Sequence, residues 1–147
     1  MIEKANIQQD LHQAMRSGDK AKVQALRLVL AAIKQIEVDE RVEVDAQKLL
    51  SILSKMAKQR QESIDQYQQA NRHDLVEQEV YELNLIQSYL PQPLSEEELA
   101  QIIEKTIHEQ AAISIRDMGK VMNTLRSQLT GRADMSKVSE IIKQKLS

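Results

Sequence analysis

Seven residues toward the C-terminal end carry the chemistry this sequence offers: Arg116, Gly119, Lys120, Asn123, Arg126, Arg132 and Lys137. At about 100° per residue, Arg116, Gly119, Asn123 and Arg126 fall on one polar stripe of a helix, with Lys120 and Ser127 alongside. Met118, Val121, Met122, Leu125 and Leu129 form the opposite, apolar face. Cations spaced along one helix face suit the phosphates of a nucleic-acid backbone, contacts that set register and affinity but carry no base sequence. Gly119 is the anomaly, because a glycine inside a helix costs about 1 kcal/mol against alanine. Two readings account for it. Either another helix of the same small domain lies against it, or a phosphate does, flanked by Arg116 and Arg126. Arg132 and Lys137 extend the positive charge beyond the stripe.

Other chemistries find little support. The chain has no cysteine, so thiol catalysis, disulfides and thiolate metal sites are excluded. There is no phosphate-cradling glycine loop, no dinucleotide fingerprint and no nucleophile elbow. His12, His73 and His108 lie in three separate elements, without the spacing that holds a metal. No cofactor and no metal is therefore expected. Aromatics make up 2% of the 147 residues, too few for a base-stacking platform. No apolar run reaches the roughly 18 residues of a membrane span. A cytoplasmic protein without a membrane partner is expected. Net charge is only −2, but residues 116–147 hold 7 basic and 3 acidic groups against 12 and 14 in residues 1–93. The positive end is thus local.

The positioning elements read as helices throughout. Ile2–Ser17 is stopped by Gly18, and Asp19 caps a second helix to about Val38. Asp45 caps a long third helix to about Ala70, and Asp74 a fourth to Leu90. Arg60 falls inside the apolar stripe of the third helix, which demands a partner: Glu37, Glu79 or Glu82. Pro91-Gln92-Pro93 is the clearest boundary. After it come Ser95 with Glu98 as a capping box, and a helix to about Gln110. Ser114 with Asp117 starts the next helix, Ile113 and Met118 being its staple pair. Asp134 or Ser136 starts the last. The expectation is an all-α chain: a four-helix part over residues 1–90 and a small three-helix domain over 94–147.

Six motifs, in order, resemble the YqeY (GatB/YqeY) family. They are K-Q-R-x-E-S at Lys58–Ser63, N-R-x-D-L at Asn71–Leu75, Y-L-P-x-x-L-S-x-E-E-L at Tyr89–Leu99, D-M-G-K-V-M at Asp117–Met122, G-R-A-D at Gly131–Asp134 and V-x-x-I-I-x-x-x-L at Val138–Leu146. Asn123 departs from the pattern, which has a second glycine there. The family is similar to the C-terminal tail of the B subunit of the aspartyl/glutamyl-tRNA amidotransferase. The resemblance implies an all-helical, two-part fold and a module that contacts tRNA or another structured RNA. It also implies a protein partner, an amidotransferase or an aminoacyl-tRNA synthetase. A carbon–nitrogen ligase label with glutamine as amido donor attaches to the family. The amidase subunit and the phosphate-activating core have no counterpart in 147 residues, so the chain is read as a non-catalytic accessory module. The alternative readings are a protein–protein adaptor that uses the same glycine-bearing face to dock on an RNA-handling enzyme, and a carbon–nitrogen ligase activity, with glutamine as amido donor, that the family resemblance implies.

Overall fold

The computed structural model describes residues 2–147, and among them every regular element is helical. In order they are α1 (Lys4–Ser17), α2 (Lys20–Glu40), α3 (Ala46–Gln69), α4 (His73–Tyr89), α5 (Glu96–Glu109), a 3-10 turn (Ile115–Asp117), α6 (Met118–Leu129) and α7 (Met135–Leu146). The chain divides into two compact units, Met1–Leu90 and Pro91–Ser147. Leu90 is extended (φ −90°, ψ 149°), the geometry that a following proline imposes.

Helix starts follow their side-chain caps. Asp19 accepts from the Lys22 amide, Asp45 from Lys48, Ser95 from Glu98 and Asp134 from Ser136. Asp74 differs: it lies in the first turn of α4, with Arg72 before the helix and paired to it at 3.2 Å. Helix ends follow a rule that composition conceals. Gly18, Arg41, Asn71 and Ala111 all adopt the left-handed conformation. After each, the next amide reaches back five residues: Asp19 to Ala14, Val42 to Glu37, Arg72 to Tyr67 and Ala112 to Ile107. These are Schellman-type stops, and only one uses the glycine that usually occupies them.

In the first unit α1 pairs with α2 and α3 with α4 around Ile7, Leu26, Ile33, Leu49, Leu53 and Ile86, each at most 1% exposed. Polar ties cross this core. The Tyr89 hydroxyl donates to Asp10 at 2.5 Å, joining α4 to α1. Burial, followed by that carboxylate, raises the Tyr89 pKa far above the usual phenol value. Glu37 takes Lys4 at 2.8 Å and the Val44 amide at 3.3 Å, which lower its pKa. Arg60 pairs with Glu82 at 2.9 Å and lies 3.6 Å from Glu79. The geometry is that of charge contact, since Arg60 Nε and Glu79 Oε2 are buried without an aligned hydrogen bond. Burial pushes the Glu79 carboxyl above the ordinary glutamate range; Arg60 opposes the rise and Glu82 adds to it.

The second unit packs α5, α6 and α7 around Ile103, Val121, Leu125, Leu129, Val138 and Ile142. A strap ties its beginning to the α6–α7 turn: the Leu94 amide donates to the Arg132 carbonyl at 3.0 Å.

Two predictions concern the charge cluster. Arg60→Ala strands Glu82, which is 7% exposed, beside Glu79. Removing one partner of a buried pair costs roughly 3–5 kcal/mol, and the partly wet guanidinium places this site near the lower bound. Thermal unfolding followed by circular dichroism should show a clearly lowered midpoint; an unchanged midpoint contradicts the pairing. Glu79 behaves in the opposite sense. Its folded pKa lies above the unfolded one, so its favourable contribution is complete below the unfolded value and is lost as pH rises through the folded one. Glu79→Gln should therefore raise the melting point at neutral pH, with the advantage shrinking as pH falls through the raised folded pKa and gone below the ordinary glutamate value.

Candidate functional site

The site rests on the rotation of α6. Val121, Leu125 and Leu129 are at most 1% exposed against α5 and α7, which turns Gly119, Lys120, Asn123 and Arg126 to solvent. These four therefore share one exposed surface on a single rigid element. Asn123 Oδ1 accepts from Arg126 Nη1 at 3.3 Å, so the asparagine orients the guanidinium across the stripe. Thr124 beside them accepts from the Gln110 side chain, a polar tie between α5 and α6.

The start of the stripe differs from the expected helix. Ser114 and Asp117 form a reciprocal capping box, but around the short 3-10 turn. Asp117 accepts from the Ile113 amide at 3.0 Å and from Ser114 at 3.3 Å, and these two bonds hold its carboxyl below the usual range. Lys120 and Arg116 lower it further. Ile113 is 87% exposed, so it does not staple to Met118, which packs inward instead. Arg116 lies in this 3-10 turn, exposed, immediately before α6.

Gly119 is accordingly the second residue of α6, not a residue one turn inside a longer helix. A Cβ built on it meets nothing within 4 Å. No other helix of the second unit lies against it, which removes the intradomain explanation. The vacancy faces outward.

The remaining cations stand apart from α6. Lys137 is exposed in the first turn of α7. Arg132 is half-buried at the α6–α7 turn, and its Nε faces the Gln92 carbonyl at 3.5 Å. G-R-A-D has a local structural logic. Thr130 (φ −58°, ψ 126°) and Gly131 (φ 86°) make a type II turn closed by the Arg132 amide on Leu129 at 2.9 Å, and Asp134 caps α7. Among the described residues Arg116, Lys120, Arg126 and Lys137 form no direct ion pair, Asp117 feeling Arg116 and Lys120 only through their field. No group of acids and histidines among those residues can hold a metal, and no helix is long and apolar enough to cross a membrane.

Comparison with known proteins places this architecture. The model of the Yqey-like protein family matches residues 4–146. The chain is similar to "Altered inheritance of mitochondria protein 41, mitochondrial" of Eremothecium gossypii, 42% identical over 108 residues, 71% of this chain and 59% of the relative. The protein of that name in Vanderwaltozyma polyspora is 34% identical over 148 residues, 95% of this chain and 80% of the relative. The one in Lachancea thermotolerans is 28% identical over 148 residues, with shares of 95% and 79%. These names overturn the expectation of a cytoplasmic protein, since all three relatives are mitochondrial by name. The physical reason is plain: a chain without cysteine carries no redox signature that distinguishes one compartment from another. With the family match running from Lys4 to Leu146, the chain belongs to the Yqey-like protein family.

Proposed function

We propose that the second unit binds the phosphate backbone of a structured RNA, tRNA foremost, as a non-catalytic accessory module linked to tRNA-dependent amidotransferase function. The observation that carries this reading is the open stripe on α6, where unpaired cations flank a glycine whose missing side chain leaves free space. Arg116, Lys120 and Arg126 supply the phosphate contacts, and Lys137 and Arg132 extend them. Asn123 presets Arg126, which reduces the side-chain ordering that binding requires. Recognition of this kind reads shape and backbone, in keeping with a chain that has three tyrosines and no phenylalanine or tryptophan.

A second reading has one observation in its favour. Ile113 and Ile115 are 87% and 47% exposed at the edge of the same stripe, an apolar pair suited to a protein adaptor surface.

Titration of bulk tRNA at two salt concentrations separates these readings. Five phosphate contacts give an affinity loss of roughly 500-fold between 50 and 200 mM salt. Arg116→Glu with Arg126→Glu should weaken binding and flatten the salt slope by about two. Salt-independent binding, or none at low salt, contradicts the proposal, and a partner retained after nuclease treatment favours the adaptor. Gly119 offers a sharper dissection. Gly119→Ala should leave stability unchanged or raise it by up to about 1 kcal/mol, because the added methyl enters empty space. Gly119→Leu should stay folded yet bind tRNA more weakly. Normal binding by the leucine variant would show that nothing approaches this face.

A further inference from the structure

The first unit carries a feature that RNA binding by α6 leaves unused. A groove of about 800 Å³ runs between the end of α1 and the outer face of α2. Ala14, Met15, Val23, Leu28 and Ala31 line it, and Met15 and Leu28 are 50% and 42% exposed along it. Its charged lining residues are Lys20 and Arg27, with no acid among them. Neither cation has an ion-pair partner among the described residues. This concentration of positive charge lies in a segment where acids outnumber bases, 14 to 12 over residues 1–93.

We propose that this groove docks an amphipathic helix with acidic flanks, presented by a protein partner. The dimensions agree: the α2 stretch from Lys20 to Ala31 is about three turns, roughly 17 Å, the span of three or four apolar anchors on a partner helix. Met15 and Leu28 meet those anchors, while Lys20 and Arg27 meet carboxylates along the partner's edges. Gly18 leaves the end of the groove open, since a Cβ there would meet nothing within 4 Å and the partner can run past it. A nucleic acid suits this surface poorly, because two cations on an aliphatic floor offer few phosphate contacts and no stacking ring. A small ligand suits it poorly as well, because no set of polar groups converges to orient one.

The test uses the full chain with 13C-methyl-labelled methionine, Met15 being assigned through Met15→Leu. The probe is a synthetic helical peptide of about fourteen residues with leucines at i, i+3 and i+7 and glutamates beside them. A saturable shift of the Met15 methyl is expected, with affinity falling about tenfold or more in Lys20→Glu/Arg27→Glu and in Leu28→Asp. Both variants change exposed side chains, and circular dichroism confirms that they remain folded. No shift at about 1 mM peptide overturns the proposal, and so does an equal response to a lysine-flanked peptide. It is overturned equally if vesicles of phosphatidylglycerol, tRNA or a second copy of the chain move the Met15 methyl as the acidic peptide does.

Discussion

Burial of Val121, Leu125 and Leu129 fixes the rotation of α6 about its own axis, and the character of the second unit follows from that constraint. A turn of one residue would bring Lys120 or Arg126 into the core, where an unpaired polar group costs several kcal/mol by transfer arguments. The apolar face of α6 is therefore closed against Ile103 and against Val138 and Ile142. The polar face is presented outward as a rigid row.

The first unit solves a different problem. Its aliphatic core has few aromatic rings to set its packing, and polar ties join the helices instead: Tyr89 to Asp10, Lys4 to Glu37, and Arg60 to Glu82 with Glu79 nearby. The last of these is frustrated, since burial outweighs the attraction of Arg60 for Glu79. Paired charges of this kind contribute register more than stability.

Helix starts were legible because caps act locally: Asp19, Asp45, Ser95 and Asp134 each bind an amide two or three residues ahead. Helix ends were less so. Arg41 and Ala111 adopt the left-handed conformation against their own preference, held there by reach-back bonds that only the folded helix supplies. For the same reason the 3-10 turn before α6 was hidden, because Ser114 and Asp117 cap a tight turn as readily as an α-helix. The apolar and polar faces of α6 followed from spacing alone. What spacing could not decide was which side of Gly119 is empty, or which of three glutamates answers Arg60, since both depend on neighbours distant in sequence. The carbonyl strap at Arg132 was likewise invisible, because backbone groups carry no residue identity.

The central claim is that the row beginning at Arg116 and continuing along α6 is a nucleic-acid surface. Amide chemical-shift mapping of the full chain during titration with tRNA tests it most directly. The account predicts perturbations concentrated from Ser114 to Ser127 and at Lys137, with the α1–α2 groove unmoved. Perturbations confined to the first unit, or scattered without regard to the α6 stripe, would contradict it.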